Sequence, residues 1–157
     1  IESSKERVRG YRKALEEAGV KSDDAYVRES DFSVEGGKKA AGELLDLAEP
    51  PTAIFACNDL LAIGVLQAAR ERGVPVPEKL SVVGFDNTIL ATVTDPPMTT
   101  IAQPIREMGC EVVDLIIREI NDEKHVKQRI VLLPELVVRG TTSPIADSAF
   151  SDSTLSV

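Results

Sequence analysis

Histidine occurs once in the 157 residues and cysteine twice, and these scarcities remove whole classes of chemistry. Metal centres and Ser-His or Cys-His nucleophilic pairs need histidines or clustered thiols. His125 stands alone in the polar run NDEKHVKQ, with no second ligand at metal spacing. Cys57 and Cys110 are too far apart for a zinc knuckle and too few for a disulfide framework, so both are expected as buried thiols of a cytoplasmic protein. Basic residues are in deficit as well: 18 Lys and Arg stand against 26 Asp and Glu, a net charge of −8. This stretch therefore lacks the clustered positive charge that holds nucleic-acid phosphates or anionic membrane. No apolar run reaches the ~20 residues of a membrane helix, and no charged-then-apolar leader opens the chain. The phosphate-cradling loops G-x-G-x-x-G and G-x-x-x-x-G-K-[ST] are missing, as is the hydrolase elbow G-x-S-x-G. The sequence thus offers binding groups without catalytic ones, calls for no cofactor and no metal, and describes a protein that is not an enzyme.

What is present is an ordinary globular balance, 43% apolar and 28% charged, over about one domain's length. Ser3 with Glu6 has the spacing of a capping box, and Val8, Tyr11, Leu15 and Ala18 follow at steps of three and four before Gly19. That predicts a helix over 4–18. A short strand is expected over 24–30, a loop at 31–33, and a second helix over 34–48 that ends at Pro50-Pro51. The runs TAIFAC (52–57) and LSVVGF (80–85) are nearly all apolar, and between them lies a helix over 59–72 closed by Gly73. Continuous apolar strands alternating with helices imply a doubly wound parallel sheet in an α/β domain. The 59–72 helix is apolar almost all round, so a second buried face is expected, against another lobe or a second protomer, and a homodimer follows. Residues 95–101 (DPPMTTI), held extended by two prolines, are expected to leave the sheet. A helix over 104–121 with the stripe Ile105, Met108, Val112, Leu115, Ile116 and Ile120, and strands over 129–133 and 135–139, complete the order. The tail 144–157 has no positive charge and is expected to be disordered.

In parallel sheets, ligands bind beyond the carboxyl ends of the strands. Asn58 and Asp59 stand there after TAIFAC, Asp86 and Asn87 after LSVVGF, and Phe32 lies in the loop after the 24–30 strand. Amides and carboxylates pair with neighbouring hydroxyls, and a flat ring packs on a sugar's C–H face, so the set suits a sugar-like molecule. The same positions also have plain duties: one of Asn58 and Asp59 must cap the next helix, and Asp86-Asn87 is ordinary turn chemistry. Arg7, near the start of the first helix, can reach the same crevice. Gln103 sits where the extended connection meets the long helix.

The run PTAIFACNDLLAIGVLQAARERGVPVPEKLSVVGFDNTILATVTDPPMTTIAQP, with SKERVRGYRKALEEAGV before it and RIVLLPELVVRGTTSP after it, resembles the effector-binding domain of LacI-type (LacI/GalR) bacterial transcriptional regulators. The resemblance runs from Ile1 to Pro144. It implies a type I periplasmic-binding-protein fold, two α/β lobes holding an effector between them. It further implies ligand contacts from Arg7 (R-x-x-G-Y), Phe32, Asn58 (C-N-D), Asp86 (G-F-D) and Gln103 (T-T-I-A-Q), with Asp59 mainly a structural cap. The family's dimer surface includes the helix after N-D. On this mapping residues 1–143 are a partial effector domain: 1–100 and 135–143 lie in the C-terminal lobe and 101–134 in the N-terminal lobe. The family's helix-turn-helix, which would hold operator DNA, is absent from the stretch. The implied role is effector sensing and dimerisation in a repressor-type regulator; the alternative is a periplasmic sugar-binding protein of a transport system.

Overall fold

The computed structural model describes residues 2–121 and 128–144; His125 and the tail from residue 145 lie outside them. Helix α1 (Glu2–Glu17) begins before Ser3, which therefore lies inside the helix and not at its cap. Gly19, at φ +69°, closes it as the sequence indicates, with the Val20 and Gly19 N–H groups donating to the Leu15 and Glu16 carbonyls. The strand expected over 24–30 is not formed. Asp23 caps a single 3-10 turn (Asp24–Tyr26), and the Arg28 side chain donates to the Ala25 and Val27 carbonyls that a ladder would have used.

Helix α2 (Val34–Leu45) starts at Ser33, whose hydroxyl accepts from the Gly36 N–H. Strand β1 (Ala53–Phe55) leads into helix α3 (Asp59–Glu71), which ends at Gly73 with the same paired closing bonds as α1. Strand β2 (Ser81–Asp86) and a four-residue helix α4 (Leu90–Val93) follow. Strand β3 (Thr99–Ala102) corrects the expectation that this stretch leaves the sheet. The proline restriction ends at Pro97, so from Thr99 onward the N–H groups are free to pair, and β3 joins β2 in parallel. Helix α5 (Ile105–Asn121) comes next, and strand β4 (Glu135–Val137) adds antiparallel to β3. Residues 129–133, expected as a strand, carry no ladder. The sheet order is β1-β2-β3-β4, so the domain is α/β with a mixed, mainly parallel sheet.

The core lies between one sheet face and α3, and α2 packs against α3 and adds Ala41 and Leu44 to it. Ile54 opposes Val82 in the register and Gly84 opposes Thr100, and this row faces Ala62 and Val65. The second apolar face of α3 therefore packs on α2, within the chain. The two helices touch backbone to backbone: a Cβ built on Gly64 would lie 2.2 Å from the Val34 carbonyl, and one on Gly37 2.4 Å from the Leu61 carbonyl. Arg72 locks their far ends with two hydrogen bonds to Asp46, at 2.9 and 2.7 Å. Helix α5 is different. None of its residues is buried, and Ile105, Met108, Val112, Ile116 and Ile120 are all exposed. Cys110, on the same helix, is likewise exposed and not the buried thiol expected, because none of the described residues covers its flank of α5.

Candidate ligand-binding site

Strand alternation decides which side chains stand at the carboxyl ends of β1 and β2. Val82 and Gly84 face α3, so Phe85 points to the other face of the sheet, where α1 crosses. The Arg7 guanidinium lies over the Phe85 ring, 3.8 Å from its centroid, and Phe85 meets Phe55 edge-on at 6.4 Å. A stacked guanidinium of this kind is worth ~0.5–2 kcal/mol, depending on how dry the site is. Arg7 also donates to the Cys57 carbonyl at the end of β1 and sits 3.9 Å from the Asp86 carboxylate. Gln103, just beyond β3, donates from Nε2 to Asp86 Oδ1 at 2.7 Å. Helix α1 and the ends of β1, β2 and β3 thus converge on one carboxylate.

Asp86 and Asn87 both adopt positive φ, +107° and +53°. For residues other than glycine such backbone costs on the order of 1–3 kcal/mol and persists only where neighbours hold it, though asparagine tolerates it better. Around this turn Arg139 donates to the Asn87 Oδ1 at 2.7 Å and to the Met98 carbonyl at 2.8 Å. Burial pushes the Cys57 thiol above its ordinary value, with the nearby Arg7 charge pulling the other way. That marks a resting thiol and not an activated nucleophile.

The five candidates separate into two groups. Arg7, Asp86 and Gln103 are joined by direct contacts. Asn58 stands beside them in sequence after Cys57; its Oδ1 accepts from the Leu61 N–H at 2.8 Å, so Asn58 is the cap of α3 and its amide N–H groups take no partner among the described residues. Asp59, expected as a cap, therefore is not one; its buried carboxylate bonds to Thr88 and Thr100 instead. Phe32 precedes the α2 cap, half-buried, and among the described residues no hydrogen bond or ring contact links it to the other four. Sequence reasoning missed Phe85, although its place in G-F-D beside Asp86 and the period-2 alternation were available to find it. Arg139 gave no such signal, since it is 52 residues from its partner Asn87.

The assembled corner presents a carboxylate whose second oxygen takes no hydrogen bond from the described residues, a guanidinium, two amides and an aromatic face. It can pair with hydroxyls and pack against a ring, and it holds no base beside a nucleophile. Among the described residues no cluster of His, Cys, Asp and Glu is arranged to hold a metal ion, and no helix is long and apolar enough to cross a membrane.

Polar groups gathered at the carboxyl ends of parallel strands are the arrangement in which α/β domains commonly hold ligands. The periplasmic binding protein-like domain family matches residues 2–142, and the chain belongs to it, in the form carried by LacI-type transcriptional regulators. The HTH-type transcriptional regulator DegA of Bacillus subtilis (strain 168) is 54% identical over 141 residues, 90% of this chain and 42% of the relative. The HTH-type transcriptional repressor CytR of Escherichia coli (strain K12) is 44% identical over 137 residues, 87% of this chain and 40% of the relative. Among solved structures, the transcriptional regulator CelR in complex with cellobiose superposes with a TM-score of 0.82 at 40% identity, over 87% of this chain and 42% of that one. A LacI family regulator from Enterococcus faecium with bound ribose gives 0.80 at 33% identity, over 89% of this chain and 51% of that one. The chain spans about two fifths of the length of the curated relatives it matches.

Proposed function

We propose that this chain is part of the effector-sensing region of a LacI-type transcriptional repressor and that its effector is a sugar-like small molecule. The carrying observation is the convergence of Arg7 and Gln103 on Asp86 at the ends of three parallel strands, over the Phe85 ring. Asp86 and Arg7 grip hydroxyls, and Asn58 and Gln103 add amide contacts. Phe32, in the loop at 31–33, supplies an aromatic face to the ligand's ring. Cellobiose and ribose, bound by two of the structural relatives, are polyhydroxylated rings of the kind such a corner suits.

Residues 1–100 and 135–143 belong to one lobe and residues 101–134 to the other. The exposed apolar row of α5 supports this division. The working assembly is a homodimer, and operator DNA is held by a domain other than this acidic stretch. The effector acts by stabilising one lobe arrangement, and it can shift the protein only by its differential affinity for the two states. The function is regulation and not catalysis.

The test is operator retention by the whole gene product in a gel shift, against a panel of hexoses, pentoses, disaccharides and purines. Release by one compound is expected, and Asp86→Ala should abolish release while leaving DNA retention intact. Release that survives in Asp86→Ala removes Asp86 from the site, and a product that retains no DNA refutes the regulator reading.

A further inference from the structure

The Asp59 carboxylate is 1% exposed and opens α3, yet Asn58 already caps that helix. Its hydrogen bonds go elsewhere. Oδ2 accepts from the Thr88 N–H at 2.7 Å and from the Thr88 hydroxyl at 2.9 Å, and Oδ1 accepts from the Thr100 hydroxyl at 2.7 Å. Thr100 Oγ1 in turn accepts from the Asn87 N–H at 3.4 Å. A buried carboxylate needs such donors, and the N-terminal end of the α3 dipole favours its charge. The sheet is cut away to admit it: a Cβ on Gly84 would lie 2.6 Å from Asp59 Oδ1.

Two of these bonds end on Thr88, directly after the turn, and the third reaches the Asn87 N–H through Thr100 on β3, so the positive-φ pair is braced from the α3 side while Arg139 holds Asn87 from the β4 side. We infer that Asp59 is a positioning residue: it holds the 86–88 turn in its left-handed geometry and so aims the Asp86 carboxylate at Gln103 and Arg7. Released from Asp59, the turn relaxes toward ordinary negative φ, and Asp86 swings off its partners. What Asp86 binds rests on the effector function proposed above; the aiming itself does not, and it can be measured without any ligand.

The experiment follows the Gln103 side-chain amide by 15N NMR in this chain, with Asp86→Ala marking the signal of the freed amide. In Asp59→Ala the Gln103 signal is expected to move most of the way to that reference. In Thr88→Val, which keeps the backbone bond to Asp59 and loses the hydroxyl bond, a smaller displacement in the same direction is expected. Val65→Ala, a core truncation on α3 that removes no hydrogen bond of the turn, is expected to lower Tm without moving the signal. Thr88→Val carries the test alone if Asp59→Ala does not fold. A Gln103 amide that keeps its wild-type position in the folded variants, or one that moves as far in Val65→Ala, overturns the inference and leaves Asp59 a stabilising core group only.

Discussion

Replacing Gly64 by alanine sets local and tertiary physics against each other, with opposite signs. In an isolated helix the change is favourable by ~1 kcal/mol, because alanine gives up less backbone freedom than glycine. Here the new Cβ would stand 2.2 Å from the Val34 carbonyl oxygen and 2.4 Å from the Lys38 nitrogen. Both are backbone atoms of α2 and cannot rotate away. Restoring an ordinary 3.4 Å contact requires the helices to part by about 1.2 Å along that line, the difference of 3.4 and 2.2. A gap of ~1 Å forfeits up to about half of each dispersion contact, and the small side chains beside Gly64, Ala41 and Ala68 among them, have no reach to refill it. Overpacking of this kind costs ~3 kcal/mol at the upper end of its usual range, so after the propensity gain about 2 kcal/mol of net loss remains. At roughly 4 °C per kcal/mol for a domain of this size, Tm should fall by about 8 °C in thermal unfolding followed by circular dichroism. Gly109→Ala, inside α5 with nothing within 4 Å of the new Cβ, is the control and should be neutral or stabilising by up to ~1 kcal/mol. A Gly64→Ala protein that melts at or above wild type would refute the backbone-to-backbone packing of α2 on α3.

Two further outcomes are expected. The Arg72 hydrogen bonds hold the Asp46 carboxyl below its usual value. A depressed folded-state value means stability that is present above the unfolded pKa of about 3.9 and is lost as pH falls through the folded one. Arg72→Met should therefore lower Tm at pH 7, and the gap to wild type should shrink below about pH 4; an equal gap at pH 7 and pH 3 would show that Arg72 stabilises through packing alone. Ile116→Lys on the exposed face of α5 should leave Tm of this chain unchanged within about 0.5 kcal/mol of stability in thermal unfolding; a large loss of Tm would mean that α5 packs within the chain.

Much of the fold was written in local signals. Gly19 and Gly73 stop their helices because glycine reaches positive φ cheaply, and the apolar runs around Ile54 and Val82 read correctly as neighbouring parallel strands, although β1 buries only its Ile54 face and leaves Phe55 exposed, and α2 ends at Leu45, short of the expected 48. Of the corner, Asp86 was legible from the pattern, since the carboxyl end of a parallel strand is a fixed address, whereas Arg7 and Gln103 were singled out by the family resemblance. Partnership across the chain was not. Residues 24–30 and 129–133 have strand-like composition but no ladder, and 99–102 joined the sheet against its proline-led appearance, because a strand exists only where another backbone accepts its hydrogen bonds. Cys110 reads like any buried thiol until α5 is seen to be uncovered. Asp59 looked like a helix cap because caps are local, whereas its real partners, Thr88 and Thr100, lie 29 and 41 residues away. The sequence by itself determined the α/β class, the glycine-closed ends of α1 and α3 and the end of the sheet where polar groups gather, all consequences of period and backbone preference over a few residues. Only the tertiary structure decided that Asp59 and Arg139 grip a left-handed turn and that Phe85 lies under Arg7. Those facts depend on which distant atoms meet, and no spacing along the chain encodes that.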